Sequence, residues 1–301
     1  MRIRIGARGS LLSLAQAELV AAGLRSRAEV EIAPIQTTGD RASKLDAART
    51  GKDLFTREID AALLAGQIDV GVHSLKDLPS RLPAGLVLAA VPPREDPSDV
   101  LLSRDRRSLE SLPRGARVGT SSPRRRAQIL ALRPDAEVLD ARGNVDTRIR
   151  RLAEGRWDAI VLARAGLARL GLLHEVTEVL PVGVMLPAIG QGALAVVARE
   201  SDHDLREGIG HLDHAQSRSE ALAERALLEL LEAGCRAPVA GLARARDGAM
   251  RLDGAVFAAD GSRTLRAGAS GDESDPTALG REVARLLLEQ GAAELIAAGR
   301  S

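Results

Sequence analysis

The ten residues Arg117-Val118-Gly119-Thr120-Ser121-Ser122-Pro123-Arg124-Arg125-Arg126 decide how this chain is read. Val118 closes a short apolar strand, and Gly119 permits a sharp bend. Ser121 or Ser122 can then cap a helix opening at Pro123, because a serine oxygen satisfies an orphan amide and proline fits the first helical position. Such a helix aims free N–H groups and a partial positive charge at whatever stands before it, with three arginines in its first turn. The local chemistry asks for an anion. Nine arginines lie at 117, 124, 125, 126, 133, 142, 148, 150 and 151, against the four acids Asp135, Glu137, Asp140 and Asp146, although the whole chain carries a net charge of only +1. The positive charge is therefore concentrated. For Arg133, Arg150 and Arg151 a solvated helix face is the stronger reading, as for most charge runs.

The same plan opens the chain. An alternating strand from Arg2 ends at Gly6, and Ala7-Arg8-Gly9-Ser10 leads into an amphipathic helix through about Ala22, with Leu12, Ala15, Leu19 and Ala22 on one face. Each helix carries a glutamine, Gln16 and Gln128. A second pair of segments agrees at an offset of 89: Leu63 to Val72 and Leu152 to Val161, each a helix stopped at glycine and then a buried strand entered through aspartate. Two α/β lobes of similar design follow, each on a mixed or largely parallel sheet. Ligands in such sheets sit beyond the carboxyl ends of the strands. The loops of interest are thus Arg8 to Ser10, His73-Ser74-Leu75-Lys76-Asp77-Leu78-Pro79, Thr120 to Arg126, Arg142 to Arg148 and Arg164 to Arg169, all expected to face one cleft.

Two connections join the lobes: the proline-rich Val91 to Pro97, and Leu186 to Gly192, after which Ala193 to Ala198 reads as a strand returning to lobe one. Lobe one is expected over 1–92 and 193–211, lobe two over 98–186, and a small α+β domain over 213–301, with a helix from Ser217 to Glu232, antiparallel strands, and a closing helix from Pro276 to Gln290. The polar stretch between Gly39 and Asp53 reads as a mobile loop able to cover the cleft.

At 301 residues the chain can hold two or three domains with proper cores, and 45% hydrophobic with 28% charged residues is an ordinary globular balance. Lysines stand only at 44, 52 and 76, so arginine abundance is weak evidence and each lysine is informative. The lone Cys235 excludes an internal disulfide and suits a reducing compartment. The N-terminus lacks a signal-peptide core, and no run of ~18 apolar residues occurs, which points to a cytoplasmic protein with no membrane partner. One Trp, two Phe and no Tyr offer little base stacking, which argues against nucleic acid. Gly190-Gln191-Gly192-Ala193-Leu194-Ala195 fits a GxGxxA pattern but opens no helix, so dinucleotide binding is not expected. His211 and His214 have ligand-like spacing without a third partner, so no metal is expected. Cys235 is by itself more often a small core residue than a nucleophile, although its place beside Arg236 would depress its pKa if exposed. Lys76-Asp77 is the best catalytic candidate, since a carboxylate among cations stays ionised and can pass a proton; a structural salt bridge is an equal alternative.

Arg8-Gly9-Ser10, His73 to Pro79, Gly119 to Arg125, Arg142-Gly143-Asn144-Val145, Leu186 to Ala193 and Gly234-Cys235, in that order and over almost the entire chain, resemble the porphobilinogen deaminase family. The resemblance implies two periplasmic-binding-protein-like lobes plus a third domain carrying the cysteine. It implies a transferase that condenses four porphobilinogen molecules head to tail with release of ammonia, hydrolysis then freeing the linear hydroxymethylbilane. Carried over by motif, Cys235 holds a covalent dipyrromethane cofactor by a thioether, and Asp77 is the acid/base group steadying the azafulvene cation. Lys76, Ser74, Thr120, Ser121, Ser122, Arg124, Arg125, Arg142, Gly143 and Arg148 bind the cofactor. Arg8, Ser10, Gln16, Arg169, Gln191, Lys52 and Phe55 bind substrate. Guanidinium forks suit the acetate and propionate of each pyrrole. Two departures stand out: Asp53 replaces a loop glycine, and Pro123 replaces the commoner leucine. A monomer is implied. A non-catalytic anion receptor of the same two-lobed architecture is the alternative, and it finds no use for Cys235 or Asp77.

Overall fold

The computed structural model describes residues 2–37, 56–232 and 237–299. Lys52, Phe55, Asp53 and Cys235 lie outside the described residues, as does the expected covering loop.

Lobe one holds β1 (Arg2–Arg8), α1 (Leu11–Leu24), β2 (Glu29–Ile35), α2 (Arg57–Leu64), β3 (Val70–Ser74) and β4 (Leu86–Ala90). The chain then crosses to β5 (Asp99–Ser103), β6 (Arg117–Gly119), α3 (Pro123–Leu132), β7 (Glu137–Leu139), α4 (Val145–Ala153), β8 (Ala159–Ala163), α5 (Arg164–Arg169) and β9 (Glu178–Leu180), and returns as β10 (Leu194–Arg199). The sheets run β2-β1-β3-β10-β4 and β7-β6-β8-β5-β9. In each, the fourth strand is the one just arrived from the other lobe, and it pairs antiparallel with both neighbours. The first three positions are parallel. The sheets are therefore mixed because the chain crosses twice, and each crossing ends inside a core. β10 is apolar from Leu194 to Ala198, as a strand covered on both faces must be.

The duplication reaches atomic detail. In lobe one the Arg4 backbone N–H donates to Asp69 Oδ2 at 2.8 Å, while its guanidinium reaches Asp69 Oδ1 and the Gly66 carbonyl, both at 2.8 Å. In lobe two the Arg117 backbone N–H donates to Asp158 Oδ2 at 2.8 Å, and its guanidinium reaches Asp158 Oδ1 and the Gly155 carbonyl, both at 3.1 Å. Each aspartate fastens the start of the third strand to the start of the first.

Two local expectations need correction. β1 continues past Gly6 to Arg8, so Arg8 is its last residue. Helix α1 turns Ser13, Gln16, Ala17, Val20, Ala21 and Leu24 inward and leaves Leu19 56% exposed, instead of burying Leu12, Ala15, Leu19 and Ala22. The helix is apolar nearly all round, so periodicity carries little direction. On the buried side Gln16 donates to Ser74 Oγ at 2.9 Å, and the small Ala17 and Ala21 let the helix lie close on its sheet.

Beyond α6 (His203–Ile209), helix α7 (Ala215–Leu230) begins the third domain, with β11 (Val239–Arg246), β12 (Ala249–Phe257) and β13 (Thr264–Asp272) as an antiparallel sheet and α8 (Pro276–Glu289) packed on it. The chain does not close with α8: Gly291, at φ +93, turns it into a further helix, α9 (Ala292–Ala298). Its core gathers Leu227, Leu252, Val256, Val283 and Leu287. His214, one of the two metal-like histidines, caps α7 by accepting from Ser217 N–H; His211 bonds the carbonyls of Gly208 and Gly23.

All three units meet at Glu224, which is fully buried. Its carboxylate receives Arg94 from the first crossing at 2.6 Å, the Gly190 N–H from the second at 2.6 Å, and the Ala243 N–H of β11 at 2.9 Å. The Gly190-x-Gly192 pattern belongs to this crossing: both glycines have positive φ, and a Cβ on Gly192 would lie 2.2 Å from the Glu95 carbonyl oxygen.

Candidate anion site

The opening stretch folds as a strand, a loop and a capped helix. Ser122 is the cap, its Oγ accepting from Arg125 N–H, with Pro123 in the first turn. Ser121 serves elsewhere: its Oγ accepts from Ala141 N–H at 3.0 Å and so ties the loop to the chain leaving β7. Thr120 Oγ1 accepts from Ser122 N–H at 3.2 Å. Gly119 lies in β6 without a positive φ, and its lack of a side chain makes room for Trp157, whose ring a Cβ would meet at 2.8 Å.

Arg124 and Arg125 are buried rather than displayed, at 3% and 6% exposure. Between them sits Asp99, the first residue of β5, wholly buried. Arg125 donates to Asp99 Oδ1 through Nε at 3.1 Å and Nη2 at 2.7 Å, and through Nη1 to the Val161 carbonyl at 3.0 Å. Arg124 Nη2 lies 2.8 Å from Asp99 Oδ2, and its Nη1 donates to the Leu186 carbonyl at 2.7 Å. Gln191, from the second crossing, donates to Asp99 Oδ1 at 2.8 Å and to the Pro97 carbonyl at 2.7 Å. Burial opposes ionisation of Asp99, but the two guanidinium groups outweigh it and hold the carboxyl well below the usual range. Sequence reading missed Asp99. The signal was present, since a charge opening the apolar run Val100-Leu101-Leu102 has to be paired.

Lobe one meets this cluster through Lys76. Its Nζ donates to Gln191 Oε1 at 3.3 Å, and burial with the neighbouring Arg125 charge pushes its pKa down to about 8, against the pull of Asp77 and Asp99. Arg148, from α4, is held down to about 10 by burial and Arg125, with Asp77 opposing; its Nε donates to the Gly143 carbonyl at 2.7 Å, a residue at φ +106. Lys76, Arg124, Arg125 and Arg148 therefore share one neighbourhood with Asp77 and Asp99. Arg142 stands more exposed, paired with Asp140 at 3.3 Å. Arg169 donates to the Gly192 carbonyl at 2.6 Å, and burial lowers its pKa against the pull of Glu95.

A cavity in lobe one brings together Arg8, Ser10, Gln16, His73, Ser74 and Asp77. Ser10 caps α1, accepting from Ser13 N–H. Buried His73 is lowered to about 4, by burial and then by Arg8, and so is neutral at pH 7. Asp77 lines this cavity and also acts on Lys76 and Arg148, which puts it where the two groups of residues meet.

The site suits an acidic guest. Among the described residues its cations outnumber its carboxylates, Lys76 and Arg148 are both lowered by burial and then by the Arg125 charge, and Arg124 Nε is a buried donor with no acceptor. Lys76, Arg148 and Arg124 are the residues whose charge is available to the carboxylates of such a guest. No group of three or more metal-ligating side chains occurs among the described residues, and no described helix is long and apolar enough to cross a membrane.

Fold and site together define a two-lobed α/β protein, with an appended α+β domain, whose cleft is charged to enclose a polycarboxylate. The family model for "Porphobilinogen deaminase, dipyromethane cofactor binding domain" matches residues 3–207, and that for "Porphobilinogen deaminase, C-terminal domain" matches 219–289. The porphobilinogen deaminase of Desulforudis audaxviator is 50% identical over 99% of this chain and 97% of its own, and that of Thermus thermophilus 49% over 97% of each. A solved putative methionine-binding lipoprotein of Bacillus subtilis is similar at TM-score 0.43 and 12% identity, covering 70% of this chain and 89% of its own. The chain belongs to the porphobilinogen deaminase family. It is thereby a transferase of tetrapyrrole biosynthesis built around a dipyrromethane cofactor.

Proposed function

We propose that this chain condenses four porphobilinogen molecules head to tail, releasing ammonia at each addition, and that hydrolysis frees hydroxymethylbilane. The dipyrromethane, bound through the Cys235 sulfur, supplies the nucleophilic pyrrole end to which substrate units are added. The chain's own residues do three things in this reading. Lys76, Arg124, Arg125, Arg142 and Arg148 bind and orient the cofactor's carboxylates, with Ser74, Thr120, Ser121, Ser122 and Gly143 shaping the loops that hold them. Arg8, Ser10, Gln16, Arg169 and Gln191, joined by Lys52 and Phe55, receive the incoming substrate. Asp77 accepts hydrogen bonds from pyrrole N–H groups and offsets positive charge that develops as the amine departs. We further propose a cytoplasmic monomer without a nucleic-acid partner; the receptor alternative gains no support from the family match.

One observation supports the reading: Asp77 lines the Arg8 cavity, and its charge opposes the lowering of both Lys76 and Arg148. Intact mass of the denatured protein tests the covalent part. The expected result is an excess of two pyrrole units, absent from Cys235→Ser; an unmodified wild-type chain would sink it. Asp77→Ala should fold normally and lose turnover by a factor on the order of 10² or more. Near-normal rates would remove Asp77 from its role.

A further inference from the structure

We infer that Asp99 is a positioning residue for the acidic ligand: its buried carboxylate sets the directions of Arg124, Arg125 and Gln191 before any pyrrole arrives. The inference rests on the family reading above and concerns a residue with no role in it. Arg124 and Arg125 are adjacent on the first turn of α3, buried, and alike in charge, so without a counter-ion they repel each other and each is left as an unpaired buried charge. Asp99 resolves this with two oxygens. Oδ1 takes both Arg125 donors and the Gln191 amide, while Oδ2, which accepts no hydrogen bond among the described residues, stands 2.8 Å from Arg124 Nη2 as an ion pair. Each guanidinium is also fixed at a second point, Arg125 on the Val161 carbonyl and Arg124 on the Leu186 carbonyl. Neither can rotate without breaking two contacts. The donors left over, Arg124 Nε among them, are held in preset directions.

The consequence extends across the cleft. Gln191 gives its amide N–H to Asp99 and its carbonyl oxygen to Lys76 of lobe one. Asp99 thereby fixes which end of Gln191 faces Lys76, and the line Lys76–Gln191–Asp99–Arg125 links both lobes through the second crossing. A site set in advance loses less freedom on binding, so the carboxylate's contribution appears in ligand capture rather than in the bond-forming step.

Asp99→Glu keeps the charge and moves it by one methylene; Asp99→Asn keeps the shape and removes the charge. Both are purified beside wild type, and three quantities are read: the fraction of chains carrying the covalent two-pyrrole mass, the melting temperature, and KM and kcat of the loaded chains. For Asp99→Glu the expected result is a folded protein in which the loaded fraction falls below about half or KM for porphobilinogen rises about tenfold, with kcat changed less than about threefold. Asp99→Asn should melt lower, because two buried guanidinium groups lose their counter-charge, and its folded part should show the same loss of loading or capture. A folded Asp99→Glu with normal loading and KM within about twofold of wild type overturns the inference. So does an Asp99→Glu chain recovered only as aggregate, since that makes the residue structural. A wild-type chain without covalent mass would instead overturn the family reading, which keeps the two failures apart.

Discussion

Glu224 shows how much one side chain can hold. It is wholly buried, and its two oxygens receive a guanidinium and two backbone amides from three separate parts of the chain. Burial works against the Arg94 charge, but Glu224 and then Glu220 outweigh it and raise the arginine above its ordinary value. Removing one member of such a pair strands the other in a dry interior. Glu224→Ala is therefore expected to destabilise the fold by about 3–5 kcal/mol, read as the shift of a urea midpoint. A change below about 1 kcal/mol would mean that water replaces the lost acceptor. Lys76 gives a prediction in pH. Its folded pKa, about 8, lies below the unfolded 10.5, so between those values the unfolded chain binds more protons and stability should rise with pH. Anion capture moves the opposite way, because the cation is lost as pH rises through about 8. For the free enzyme, kcat/KM should fall on that alkaline limb, and Lys76→Met should flatten it; a limb unchanged in the variant would assign it to another group.

At the level of elements, helix ends and close approaches matter most. Ser122→Ala removes the oxygen that caps α3 and is expected to cost about 1 kcal/mol, visible in a melting curve, with a further loss of ligand capture because Arg124 and Arg125 ride on that first turn. No change in stability would show that backbone geometry alone starts the helix. Gly280 has a different task. A Cβ there would stand 2.2 Å from the Ala223 carbonyl oxygen, so α8 can press on α7 only without a side chain. Gly280→Ala should destabilise the third domain by about 1–3 kcal/mol through overpacking, despite alanine's better helix propensity; a stabilised variant would refute that packing. Helix α1 carries the lesson for sequence reading. Its existence and length are written in its residues, but an apolar helix does not state which side faces in; the sheet takes Ala17, Val20, Ala21 and Leu24, and Gln16 on that side donates to Ser74.

Over the whole molecule, the three sheets meet at buried Glu224 and the lobes are linked again through Gln191, so they are expected to unfold together. Trp157, the only tryptophan and fully buried in lobe two, is a local reporter, whereas far-UV circular dichroism reports on all three units. In wild type the two melting curves should coincide. Replacing Arg94 with alanine should separate them by several degrees; coincident curves in the variant would show that the lobes are coupled some other way.

The sequence by itself determined the strand-turn-helix units around the site, the duplication and the charge. Strand, glycine, polar turn and helix are local patterns, set by dihedral preference, capping and hydrophobic period, and Asp69 and Asp158 betrayed the repeat because both sit at the same distance past a helix-stopping glycine. The arginine excess beyond Arg117 was legible for the same reason, as charge density needs no partner to be counted. The tertiary structure decided what that charge is paired with. Asp99 meets Arg125 across 26 residues and Gln191 across 92, and Glu224 meets Arg94 across 130. Contacts of that range leave no period in a sequence. They arise from burial, which makes an unpaired charge costly enough that distant parts of the chain must bring its partner to it.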